Sequence, residues 1–148
     1  MTIELDLQVA SQDSNVPRLA DFRVWIESAL GSHAGGMLTI RIVDRDESAD
    51  LNQRFRARSG PTNVLSFEAD LPPEIDVRFL GDIVICAPLV AEEASAQGKS
   101  AESHWAHLAV HGVLHLIGFD HETEAEAAVM EAREVEILER LGYADPYD

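Results

Sequence analysis

Three histidines carry the strongest chemical signal in this chain. Residues 111–121 read His-Gly-Val-Leu-His-Leu-Ile-Gly-Phe-Asp-His, which sets His111, His115 and His121 at offsets of zero, four and ten. The segment through the first two, Ser103 to Ile117, lacks proline and is mostly apolar, so the pattern predicts a helix. Positions i and i+4 share a helix face. A rise of about 1.5 Å per residue puts two such imidazoles about 6 Å apart along the axis. Both then converge on one metal ion with bonds of about 2.0–2.1 Å. Gly118 suits the left-handed turn that ends a helix, after which His121 returns as a third ligand. Three protein ligands and an open fourth position describe a catalytic zinc site, with one ion per chain, rather than a closed structural one. Zinc so held activates water and polarises a carbonyl or phosphoryl oxygen. The residues alone therefore point to a metal-dependent hydrolase.

The other histidines are read differently. His107 shares the face of His111 and His115, but eight residues of helix put it about 12 Å from His115. It cannot share an ion with His115; a 107/111 pair would leave His121 too far along the chain and Gly118 without a purpose, so His107 is expected to support or pack beside the site. His104, near the start of the helix, and His33, in a Ser/Gly-rich loop, are expected to be exposed and inert. The eleven-residue pattern has the spacing of the metzincin signature, H-E-x-x-H-x-x-G-x-x-H, in which a glutamate general base follows the first histidine. Gly112 stands there instead, so that base is missing.

The elements that must position these groups read as one layered α+β domain over residues 1–148, with a small mixed sheet packed by helices. Ile3, Leu5, Leu7 and Val9 alternate as a half-buried strand. Pro17 opens a helix whose stripe is Leu19, Phe22, Ile26 and Ala29, with Trp25 in the core and Gly31 ending it. A second strand covers Leu38 to Ile42. A helix follows from Asp46 to about Arg58, with Ala49, Leu51, Asn52 and Phe55 inward. Val64–Phe67 is a short strand. Residues 71–74 read as a loop, and the stretch to Arg78 has no clear pattern. Ile83–Cys86 is a continuous apolar run, as in a buried central strand. Pro88 starts a helix to Ala96. After the histidine helix, Thr123 and Glu126 form a capping-box pattern. Ala125, Val129, Ala132, Val135, Leu138 and Leu141 are the expected stripe of the last helix. The histidine helix itself is apolar nearly all round, the mark of a buried helix and of a rigid mount.

Composition sets limits. The chain has 148 residues, 46% hydrophobic, enough for a proper core. One cysteine, Cys86, excludes an internal disulfide and is expected buried and inert. No signal-peptide pattern and no membrane-span run is read, so a reducing cytoplasm is the expected location. The net charge is −16, which repels polyanions at long range. No DNA partner is expected. Basic charge is local: Arg54, Arg56 and Arg58 fall together, where cations at a helix end also favour the dipole.

The histidine motif H-G-x-L-H-L-x-G-[YF]-D-H resembles the signature of the YbeY family, bacterial endoribonucleases of ribosomal RNA maturation. Leu51-Asn52, Arg56 and Pro61–Phe67 are similar to that family's L-N-x-x-[YF]-R-x-x-x-x-P-T-[DN]-V-L-S-F stretch, and Gly81-Asp82-Ile83 and Leu141–Tyr147 also agree. The likeness runs from about Leu38 to Tyr147. It implies a zincin-like fold and a zinc-dependent, single-strand-specific endoribonuclease in ribosome biogenesis. Such an enzyme matures the 3′ end of small-subunit ribosomal RNA and aids ribosome quality control, with that RNA and the small subunit as partners. It also implies that Arg56 acts in catalysis, where a guanidinium fork matches phosphate oxygens. The proton acceptor stays open between the metal's activated water and an acid such as Asp82 or Glu122. Asp120 either orients a ligand histidine or caps the last helix. Three departures stand out: Glu68 where proline is common, Phe119 for tyrosine and Ala57 for glycine. Two other classes compete, a zinc metalloprotease, which Gly112 argues against, and a non-catalytic ribosome-assembly factor with structural zinc.

Overall fold

A computed structural model describes residues 3–33, 35–69 and 79–148. The loop expected at 71–74 and the stretch to Arg78 lie outside the described residues. Nine elements follow in order: β1 (Glu4–Val9), α1 (Leu19–Leu30), β2 (Met37–Val43), α2 (Arg45–Arg56), β3 (Val64–Glu68), β4 (Phe79–Cys86), α3 (Ala87–Gln97), α4 (Ala101–Leu116) and α5 (Glu124–Arg140). The strands form one mixed sheet in the order β1-β2-β4-β3, with β3 antiparallel and the others parallel. The fold is α+β, as the alternating and helical periodicities predict.

Side chains alternate across a strand, and that alternation splits the core in two. Leu38, Ile40, Ile42, Ile83 and Ile85 face one side, where they join Phe22, Trp25 and Ile26 of α1, Leu108, Val113 and Leu114 of α4, and Met130, Ile137 and Leu138 of α5. Val43, Leu65, Val84 and Cys86 face the other side and meet Leu51 of α2 and Leu89 of α3. β4 is thus a buried central strand. Its pairing begins before Ile83, because Gly81 and Asp82 stand opposite Glu68 and Phe67 of β3.

Four local expectations change. α1 begins at Leu19, with Arg18 as N-cap and Asp21 accepting its backbone N–H, so Pro17 precedes the helix. α2 ends at Arg56, because Ala57 turns left-handed at φ 55°. Phe55 is 57% exposed rather than inward, while Ser48 is buried. The last helix is rotated from its expected stripe: Val129 is 61% exposed and the buried residues are Met130, Glu134, Ile137 and Leu138. A stripe drawn only from apolar residues passes over Glu134, the one carboxylate on the inward face.

Candidate metal centre

α4 lies under the β3–β4 side of the sheet, and one glycine lets it come close. A Cβ built on Gly112 would meet the Ile83 side chain at 3.0 to 3.2 Å. Glycine is therefore a packing requirement here, and the metzincin base position points into the sheet instead of into the site. Ser66 of β3 adds a tie, its hydroxyl donating to Gly112 O at 3.2 Å.

The helix ends as the glycine predicts. Gly118 takes φ 109°, its N–H reaches His115 O, and Phe119 N–H reaches Leu114 O at 2.9 Å. The chain then reverses. Asp120 Oδ1 accepts the His121 backbone N–H at 2.7 Å, and Thr123 and Glu126 close a reciprocal capping box that starts α5. Asp120 therefore braces the turn through the backbone, while Thr123 caps the helix.

This turn brings the three imidazoles together. Ring centroids lie 4.7 Å apart for His111–His115, 4.8 Å for His115–His121 and 5.6 Å for His111–His121. One ring nitrogen from each falls within 4.8 Å of the others, so the group could hold a metal ion. The donor set suits one. Burial, then the neighbouring His111 and His121 rings, push the His115 imidazole below its ordinary pKa. A neutral ring keeps the lone pair that a metal needs.

His111 is also oriented from behind. Its Nδ1 lies 2.5 Å from Oε1 of Glu134 on α5, a residue with no exposed surface. Oε2 of the same carboxylate accepts from the Tyr147 hydroxyl and lies 3.5 Å from His107 Nε2. Burial alone would raise the Glu134 pKa. The nearby His107, the bond from His111, the His111 charge and the Tyr147 bond outweigh it and hold the group at about 2. Burial and the bond to Glu134 push the Tyr147 hydroxyl up. His107 thus stands beside the centre without joining it, as its spacing predicts. His104 departs from expectation: it is 4% exposed and its Nε2 meets Glu93 Oε1 of α3 at 2.8 Å. Its first turn packs against α3, which the helix periodicity alone does not show. His33 is exposed.

Facing the histidines is a cleft of about 1220 Å³, whose far wall includes Asn52, Arg56, Arg58, Pro61–Asn63 and Ser66. Arg56 is fixed on it. One guanidinium nitrogen donates to Ser66 O at 2.7 Å, another to Phe55 O at 3.2 Å, and the group lies 5.0 Å from the Phe67 ring centroid. Arg56 and Arg58 have no carboxylate partner among the described residues, whereas Arg54 pairs with Asp50 at 3.5 Å. Glu68, Asp120 and Glu122 also line the cleft. Asp82 does not: its neighbour Ile83 faces α4, so Asp82 points to the opposite face of the sheet, where burial raises its pKa against a hydrogen bond with Thr39.

Comparisons with known proteins identify the family and the fold. A family model described as Endoribonuclease YbeY matches residues 8–142. The Endoribonuclease YbeY of Methylococcus capsulatus is 56% identical over 98% of this chain and 95% of its own. That of Nitrosococcus oceani is 51% identical over 100% of this chain and 99% of its own. The solution structure of TM1509 from Thermotoga maritima shares the fold at a TM-score of 0.58, with 23% identity over 96% of this chain and 99% of that one. Among the described residues no helix is long and apolar enough to cross a membrane.

Proposed function

Because the chain belongs to the YbeY endoribonuclease family, we propose that it is a zinc-dependent endoribonuclease of single-stranded RNA that matures the 3′ end of small-subunit ribosomal RNA. One catalytic domain spans residues 1–148, works on the small ribosomal subunit in the cytoplasm, and contributes there to ribosome quality control. The observation that carries this reading is one cleft with three converging imidazoles on one wall and, on the other, an arginine that has no carboxylate partner among the described residues.

His111, His115 and His121 hold one zinc ion. When bound, zinc supplies Lewis-acid activation of water and of a phosphoryl oxygen. Arg56 engages the non-bridging phosphate oxygens with its planar fork. Its bonds to two backbone carbonyls and its place over Phe67 hold the fork in position before substrate arrives, so little ordering is left to the reacting complex. Of the two acids that the sequence offers as proton acceptors, Glu122 borders the cleft and Asp82 does not. The surrounding charge is adverse, with Glu68, Asp120 and Glu122 on the lining. Arg56 and Arg58 are the cations that offset it, and so few phosphate contacts mean a shallow salt dependence.

Against the protease reading stands Gly112, where Ile83 lies in the space a side chain would need. The test of the proposal is cleavage of single-stranded RNA by purified protein, with and without a chelator, beside His115→Ala. Chelator-sensitive cleavage that the variant lacks is the expected result. A zinc-loaded protein that cleaves no RNA, alone or on the small subunit, would instead make it an assembly factor.

A further inference from the structure

A carboxylate wholly removed from water is costly unless donors saturate its oxygens. Glu134 meets that condition through groups from two other parts of the chain. His111 Nδ1–H on α4 donates to Oε1 at 2.5 Å, and the Tyr147 hydroxyl, on the segment after α5, donates to Oε2. The Tyr147 oxygen in turn lies 3.2 Å from His107 Nε2. Because that hydroxyl gives its proton to Glu134, it accepts from His107 Nε2–H. The remaining nitrogen, His107 Nδ1, is buried with no hydrogen-bond partner among the described residues. The proton order therefore runs one way, from His107 through Tyr147 to Glu134, with Glu134 also taking the His111 proton.

From this geometry we infer that Glu134 and Tyr147 are positioning residues for His111, which make the segment after α5 part of the metal centre. The inference rests on the zinc reading above. A proton committed at Nδ1 leaves Nε2 as the only free lone pair of His111, fixes the ring's tilt and makes it a stronger donor. Among the described residues, no carboxylate meets His115 or His121 in this way. His111 is the ligand whose ring angle and free nitrogen are set before any ion arrives. Tyr147 fixes the far oxygen of Glu134, and its own segment is anchored: Lys99 Nζ donates to Pro146 O at 2.7 Å, Tyr147 N–H to Asp145 Oδ1 at 2.8 Å and the Tyr143 hydroxyl to Glu102 at 3.0 Å.

The experiment measures zinc affinity by competition with a chromophoric chelator for the full chain, Glu134→Leu, Glu134→Gln and Tyr147→Phe. Thermal melting and nitrogen NMR of the metal-free proteins accompany it. Leucine fills the buried site without an acceptor, and its zinc affinity is expected to fall about 10–100-fold. Glutamine keeps an accepting oxygen but no charge and should recover part of that loss. Tyr147→Phe removes one hydroxyl at the chain's end and should weaken zinc several-fold with melting nearly unchanged. In metal-free wild type at neutral pH, His111 should carry its proton on Nδ1, and in Glu134→Leu that preference should vanish. Zinc affinity within about two-fold of wild type in the folded variants, with only melting changed, would make both residues structural and overturn the inference. Should Glu134→Leu not fold, Glu134→Gln and Tyr147→Phe decide it on the same readouts. A wild type that binds no zinc fails the zinc reading and takes this inference with it, whereas unchanged variants beside a zinc-binding wild type fail this inference alone.

Discussion

His111 and His115 stand on a helix whose neighbours Leu108, Val110, Val113 and Leu114 are all buried. Arg56 stands in the last turn of α2, where Gln53, Arg54 and Phe55 are all exposed. The first wall of the cleft is held by apolar packing, the second by directed polar bonds. Ser48 Oγ donates to Thr62 O at 2.8 Å and accepts Thr62 N–H at 3.0 Å, and Asn52 donates to Gly60 O at 2.9 Å. Packed apolar contacts are individually small and collectively rigid, while each hydrogen bond contributes about 1 kcal/mol net. A metal site tolerates little misplacement of its ligands, so the proposed centre is served by the rigid wall. The proposed phosphate clamp must admit a flexible strand, and the wall held by a few bonds suits it.

The comparison breaks most directly at its two centres. His115→Ala is expected to abolish stoichiometric metal and RNA cleavage together, with elemental analysis as the check. His107→Ala should keep the metal, and full metal in His115→Ala would unseat the ligand assignment. Next in size is Arg56→Glu, expected to slow cleavage by about 10²–10³-fold, the scale of losing one charge-stabilising donor. Zinc content and melting should stay at wild-type levels. Arg56→Lys keeps the charge but loses the planar fork, so partial recovery at most is expected. If Arg56→Glu loses zinc or unfolds, the two walls are not separable and the arginine is structural.

Legibility in the sequence differed between the walls for the same physical reason. A helix period, a turn glycine and a histidine spacing are local rules, so the i, i+4 pair and the Gly118 reversal could be read from residues 111–121 alone. The capping box at Thr123 was local too. Glu134 was not readable, because it makes its contacts with α4 and the chain end and hides within an otherwise apolar stripe. A buried Glu flanked by Met130 and Ile137 at helical spacing was the available signal. On the arginine wall, Phe55 looked inward by periodicity. It is exposed because Ser48 and Asn52, bonded to the 60–62 loop, define the inner face of α2. Asp82 and Glu122 could be told apart only by which face of the sheet β4 presents.

Two substitutions sharpen the contrast at smaller scale. Gly112→Ala forces a methyl against Ile83 on the packed wall, and a loss of about 1–3 kcal/mol is expected from overpacking, read by denaturant unfolding. Gly112→Glu should be worse and yield no metal-dependent peptidase activity; robust peptide hydrolysis would overturn this account of the glycine. On the open wall Ala57 holds a left-handed φ of 55°, which strains any residue with a Cβ. Ala57→Gly is expected to gain up to about 1 kcal/mol without changing zinc affinity. A loss of stability there would show that the α2 terminus relaxes on its own.

The smallest expected effect lies where the walls are tied to each other. Glu93 Oε1 meets His104 of α4 at 2.8 Å and accepts from Asn63 of the cleft loop at 3.0 Å. Burial is the main cause that pushes the His104 imidazole below its ordinary pKa; Glu93 raises it, and the charges of His107 and Lys99 lower it further. The unfolded chain, with an ordinary histidine near about 6.5, therefore takes up this proton first as pH falls. Between that value and the lower folded one the unfolded state binds more protons, so stability is complete above the window and is lost as pH drops through it. His104→Gln keeps an amide donor for Glu93 and removes the titration. Its unfolding free energy should be flatter than wild type below about pH 6.5, with zinc content at neutral pH unchanged. Parallel curves for the two proteins would mean that His104 is not held neutral by burial. A flatter curve with weakened RNA cleavage at neutral pH would show that the tie also sets the spacing of the two walls through Asn63.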